Sequence, residues 1–85
     1  MPCICAFDGI EIEMYIRDHA PPHFHAYYAE YEAVISINDV TLLKGGLPSR
    51  KLKLVTRWAI KRQEELLINW ELRENGKPLL TLLPL

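Results

Sequence analysis

From Ile10 the chain reads Ile-Glu-Ile-Glu-Met-Tyr-Ile, a period-two alternation that predicts a strand with Ile10, Ile12, Met14 and Ile16 on one side and Glu11, Glu13 and Tyr15 on the other. Cys3 to Phe7 predicts a second short strand, with Asp8-Gly9 as the turn between them. Arg17 to Pro22 is a connection, because consecutive prolines remove backbone donors and hold their predecessors extended. The chain re-enters a strand at His23, and residues 23–28 and 31–37 form a hairpin around Ala29-Glu30. With that loop Tyr28 faces Tyr31, Ala26 faces Ala33 and Phe24 faces Ile35. Phe24, Ala26, Tyr28, Tyr31, Ala33, Ile35 and Ile37 then share the core face. His23, His25, Tyr27, Glu32, Val34 and Ser36 share the reverse. A slip of one residue would exchange the two faces, so the placement of the histidines depends on this register.

Asn38-Asp39 marks a turn, Val40 to Leu43 a brief strand, and Gly45-Gly46 its end. Beyond them the period changes to that of a helix. Leu52, Val55, Trp58, Ala59, Leu66 and Trp70 make an apolar stripe on one helix starting at Arg50, with Ser49 as its cap. Arg62 falls beside the stripe, its aliphatic stem along the core and its guanidinium directed to an acid. The helix ends near Glu74, where Asn75-Gly76 supplies a C-cap signal and Pro78 follows. Residues 77–85 are too apolar for a free tail and should pack on the sheet, the helix or another subunit. The expected fold is α+β: a small antiparallel sheet of three to five short strands against one long C-terminal helix. It is one domain over residues 1–85, strand-rich to residue 47, helical over about 50–74, with an apolar tail at 77–85.

The 85 residues, 49% hydrophobic and 25% charged, fit one domain with a thin core, for which a partner or a second copy would supply further burial. The net charge of -1 hides an asymmetry. Seven acids oppose only Arg17 and Lys44 before residue 48, whereas Arg50, Lys51, Lys53, Arg57, Lys61 and Arg62 follow without an acid among them. Such a run attracts phosphates or an acidic partner, and a DNA-binding reading through Arg50, Lys53, Arg57 and Lys61 requires affinity that falls steeply with salt. Cys3 and Cys5 are too close for a routine disulfide. With no signal peptide and no apolar span of about 20 residues, a cytoplasmic protein with reduced thiols is expected.

All three histidines lie within Asp18-His19-Ala20-Pro21-Pro22-His23-Phe24-His25. Histidine titrates near neutral pH and ligates metals. His23 and His25 point to one side of their strand, where the register also brings Tyr27 and Glu32. His19, His23, His25, Tyr27, Glu32 and Arg62 are therefore the candidate ligand-binding residues for an anionic ligand or a peptide. The plainer reading of the same residues is a pair of partly exposed histidines satisfied by local hydrogen bonds. No cofactor is required. The alternative is a divalent metal such as zinc on Asp18, His19, His23 and His25, or on Cys3 and Cys5 with His23 and His25 if the opening strand lies beside the hairpin. A metal-dependent phosphoesterase or nuclease would draw on Glu11, Glu13, Glu32 and a histidine, with Arg62 or Arg57 stabilising developing charge. Ser36 and Ser49 lack a triad, the thiols lack a base, and no glycine-rich phosphate loop exists. Trp58 and Trp70 share related helix faces and are most economically core residues; Trp70 anchors an interface only if it ends an exposed apolar seam with Leu66 and Leu67. Leu66, Trp70, Leu82, Leu83 and Leu85 are the candidates for an exposed apolar interface.

Phe7-x-Gly9-Ile10-x-Ile12-x-Met14-Tyr15, Asp18-His19-x-Pro21-Pro22-His23-Phe24-His25, Leu47-Pro48-x-Arg50, Trp58, Glu65-Leu66, Asn69-Trp70 and Pro84-Leu85 together resemble the small bacterial family of unknown function DUF4160. The resemblance covers nearly the whole chain and implies a compact strand-rich domain with a long C-terminal helix. Similar proteins often carry other residues in place of Cys3 and Cys5. The family's association with a second small domain and with toxin–antitoxin-like gene pairs implies an interaction or regulatory module, partnered by another small protein or by itself. No membrane partner is expected, since the chain has no uninterrupted apolar span of about 20 residues.

Overall fold

The computed structural model describes residues 3–15 and 19–85. Five strands, β1 (Cys3–Phe7), β2 (Ile10–Glu13), β3 (His23–Tyr28), β4 (Tyr31–Ser36) and β5 (Leu42–Gly45), form one antiparallel sheet in chain order. Each strand pairs with its predecessor because the connections are short or turn-forming. Asp8 and Gly9 take φ of 50° and 75° and close the first hairpin, as a tight two-residue turn requires. Ala29 adopts a φ of 50° in the second hairpin without a glycine's freedom. The β3–β4 register is the one expected, with Phe24 opposite Ile35, Ala26 opposite Ala33 and Tyr28 opposite Tyr31.

The helical segment is two helices rather than one, α1 (Ser49–Lys61) and α2 (Gln63–Glu74). The break at Arg62 adjoins a long-range contact. The Gln63 side-chain amide donates to the carbonyls of Ile37 (2.7 Å) and Asn38 (2.8 Å) at the end of β4, which ties the start of α2 to the sheet. Ser49 is the first helical residue and not the cap. Pro48 holds the cap position, with no side-chain hydrogen bond to the helix. At the other end Gly76, with φ of 67°, donates to the Arg73 carbonyl and Lys77 to that of Leu72, which stops α2 with its last carbonyls satisfied.

Ile10, Ile12, Met14, Phe24, Ala26, Ala33, Ile35 and Ile37 are buried on one sheet face, beneath Val55, Trp58 and Ala59 of α1 and Leu66 of α2. Trp58 is the centre of this layer, its ring 5.7 Å from Phe24 and 5.8 Å from Phe7 between centroids. Its indole N–H donates to the Leu83 carbonyl at 2.8 Å. The tail lies along the free side of β1, where Leu82 N–H donates to the Ile4 carbonyl at 2.7 Å. Asn69, fully buried, grips it from the helix side by donating to the Leu80 carbonyl and accepting from the Leu80 N–H. The tail thus covers one edge of the sheet, as its apolar composition requires. No helix among the described residues is long and apolar enough to cross a membrane.

Candidate functional site

The face away from the helices carries the polar alternates of the strands. Glu11 lies opposite Tyr27 and Glu13 opposite His25, while His25 in turn lies opposite Val34, and Val34 opposite Lys44. These pairings bring residues from four strands into one row across the sheet. The turn residues His19 to Pro21 rise beside β3 and close one side of a cavity of about 420 Å³. His23, His25 and Glu32 line it with Val34, Leu43, Lys44 and Gly45.

His23 is nearly buried, with its Nδ1 2.7 Å from the Pro21 carbonyl. A carbonyl can only accept, so Nδ1 carries the proton. His25 Nδ1 lies 3.1 Å from a carboxylate oxygen of Glu32 and donates to it in the same way. Rings continue outward from this pair. His23 is 5.4 Å from His25 and 5.2 Å from Trp70, and His25 meets Tyr15 edge-on at 4.6 Å. The Arg73 guanidinium stacks on Trp70 at 3.8 Å, a cation–π contact.

Behind His25 the buried Glu13 carboxylate accepts from the Tyr15 hydroxyl at 2.9 Å, and Tyr15 is hydrogen-bonded to Tyr27. Burial pushes the Tyr15 phenol well above its ordinary range, reinforced by its bonds to Tyr27 and Glu13. Burial raises Tyr27 as well, while its bond to Tyr15 opposes the rise. Both phenols are thereby held neutral as donors and acceptors. Sequence reasoning missed this line as a unit. Its only trace in the sequence is the alternation of Glu11, Glu13 and Tyr15, which becomes informative once β2 is registered against β3.

Of the expected ligand residues, His19, His23, His25 and Glu32 line the groove, and Tyr27 stacks beside His25 with ring centroids 6.3 Å apart. Arg62 does not join them. It donates to the carbonyls of Leu83 and Pro84 and pairs with Glu65 at 3.6 Å. Leu66, Trp70 and Leu82 are buried, with the helices and tail folded over them. Leu83 and Leu85 remain exposed. Sequence reasoning also missed Val34, Leu43 and Lys44 as groove residues, since their place follows from the pairing of β5 with β4.

Asp18 lies outside the described residues. Among the described residues no three His, Cys, Asp or Glu side chains assemble into a metal cluster. The cysteine–histidine set does not form, because β2 separates β1 from β3 and Cys5 is buried on the opposite, apolar face. Burial also raises the Cys5 thiol. Ser36 and Thr41 hydroxyls bond to Asp39 and hold its carboxyl below the usual range; Ser36 lies opposite His23 in the ladder. Arg50, Lys53, Arg57 and Lys61 are exposed on α1.

Fold and groove together define a small α+β domain with one sheet face covered by the helices and a groove on the other. Residues 9–71 match the family described as a domain of unknown function, DUF4160, and the chain belongs to that family. No curated protein matches the chain, and no solved structure does.

Proposed function

We propose that this protein is an interaction module whose groove receives an extended segment of another small protein, as a regulatory or antitoxin-like component does. The observation that carries the reading is the composition of the groove. Pro21, Val34 and Leu43 offer apolar contact, and His23, His25, Glu32 and Lys44 offer polar groups within the same 420 Å³ cavity. A peptide presents that alternation of apolar side chains and polar backbone. The groove opens at β5, the uncovered edge of the sheet, whose Leu42 and Leu43 are exposed. That edge is short, interrupted by a register shift and carries Lys44, features that disfavour unlimited strand pairing. It suits one specific segment better than open-ended self-association.

The test is selection of random displayed peptides on the immobilised full chain, followed by competition with the Leu43→Asp variant. Enriched peptides should bind the wild type and lose at least tenfold in affinity on Leu43→Asp, with Leu83→Asp unchanged. Enrichment of nothing, or equal binding to both variants, would overturn the reading.

A further inference from the structure

The groove ends at a cation that this chain does not neutralise. Lys44 lines it from the exposed edge strand β5, opposite Val34 in the ladder. Glu32, the carboxylate of the groove, is engaged by His25 Nδ1 at 3.1 Å, and among the described residues no acid pairs with the Lys44 ammonium. β5 has a strand neighbour on one side only, so half of its backbone donors and acceptors face outward. The other edge of the sheet is occupied, since Leu82 of the tail donates to the Ile4 carbonyl of β1. A further strand can therefore join at β5. The register shift between Val34 and Ile35 sets Leu42 and Lys44 on opposite faces: Leu42 pairs with the buried Ile35 on the helix side, and Lys44 with Val34 on the groove side.

Resting on the interaction reading above, we infer that the segment received by the groove adds to β5 as a sixth strand and brings a carboxylate side chain to Lys44, with an apolar side chain on the other face against Leu42. Covering the ammonium with a neutral segment would strip its water without supplying a counter-charge, and that cost selects against segments that lack an acid. An acid placed deeper in the groove would face Glu32, so like-charge repulsion confines it to the β5 side. Strand addition supplies backbone hydrogen bonds whatever the sequence, which leaves the acidic and apolar positions to carry the specificity. A second copy of this chain is the wrong occupant. β5 reads Leu-Leu-Lys-Gly, without an acid, so pairing two such edges brings two Lys44 ammoniums toward each other uncompensated. The lysine that discourages pairing of like edges thus admits an acidic one.

The experiment uses the random displayed peptides selected on the immobilised full chain. Enriched sequences should share an aspartate or glutamate beside apolar residues. A synthetic copy of the most enriched peptide should lose about tenfold in affinity when that acid is replaced by its amide, and about as much against Lys44→Glu. Lys53→Glu makes the same change of charge on the exposed surface of α1; it should leave affinity within about twofold at physiological salt, which separates local pairing from long-range attraction. A peptide with lysine in place of the acid should recover binding to Lys44→Glu, whose amide spectrum establishes that it remains folded. Amide exchange in β5 should slow in the complex, as new backbone hydrogen bonds require. Enriched peptides without a common acid, or equal affinity for the wild type and Lys44→Glu, would overturn the pairing with Lys44. β5 amides that exchange equally fast with and without peptide would overturn the strand addition. In either case, peptides that still lose affinity on Leu43→Asp leave the interaction reading standing, whereas enrichment of nothing overturns both.

Discussion

Alanine at position 45 should detach β5 and open the groove, whereas alanine at position 46 should not. Gly45 has a φ of +70°, and a Cβ built on it would stand 2.1 Å from the carbonyl oxygen of Glu32. The obstacle is backbone, so no side chain can swing away. One of the two strands must retreat by about 1 Å to restore a tolerable contact of 3.0 Å. The left-handed backbone costs an L-residue about 1–2 kcal/mol. The shift also strains the Gly46 N–H bond to the same Glu32 carbonyl, 3.0 Å long, whose net worth is about 1 kcal/mol. The combined loss is about 2–3 kcal/mol. Gly46 is a neighbour with no atom within 4 Å of its built Cβ and no positive φ. Gly46→Ala should be neutral or gain about 0.4–1 kcal/mol by restricting the unfolded chain. Urea denaturation of both variants gives the difference, and amide exchange at Gly46 shows whether the loss is local to β5. Midpoints that correspond to equal stabilities would refute the reasoning, because the two sites differ only in backbone conformation and in the approach of Glu32.

Three further outcomes follow from the packing and the perturbed groups. Asn69→Ala removes both hydrogen bonds to Leu80, worth about 1–3 kcal/mol together, and should free the tail; deuterium exchange at the Leu82 amide should accelerate at least tenfold, and unchanged exchange would contradict the role given to Asn69. The Tyr15 phenol is raised above its unfolded value of 10.0, so its contribution to stability is complete below about pH 10 and is lost as the pH climbs through the folded value; Tyr15→Phe should flatten that alkaline decline in urea midpoints, and an unaltered decline would count against the half-buried phenol pair. Cys5 is buried with its thiol raised, and Cys3 is exposed, so alkylation near pH 8 should label Cys3 first and Cys5 only on unfolding; equal rates by mass spectrometry would show that the apolar face is not sealed.

Much of the fold was legible because local signals agreed with one another. Asp8-Gly9 fixed the first hairpin, and the apolar alternates from Phe24 to Ile37 pointed to one register, which buries Phe24, Ala26, Ala33, Ile35 and Ile37 but leaves Tyr31, beside the turn, exposed. That register also placed His23, His25 and Glu32 on one face, which made the core of the groove readable before its walls. Its walls were not readable, since Val34, Leu43 and Lys44 join it through the pairing of a weak, exposed fifth strand. The helix break was equally hidden. Nothing between Trp58 and Trp70 breaks a helix locally, and the break falls beside Gln63, whose amide reaches two carbonyls in the turn after β4, more than twenty residues earlier. Arg62 was expected near an acid, and Glu65 is there, but the tail carbonyls take its other donors. The interface leucines divide for a related reason: Leu66 lies in the apolar stripe of the helix and Leu82 is covered as the tail returns to β1, while Leu83 and Leu85 stay exposed.

The central claim is that this domain meets its partner through the histidine-lined face and not through the helices or the tail. Contacts between protons of a selected peptide and the methyl groups of the isotope-labelled protein test it most directly. Cross-peaks to Val34 and Leu43, with movement of the His23 and His25 ring signals, are the predicted result. Cross-peaks confined to Ile60, Leu83 or Leu85, with those rings unmoved, would contradict it.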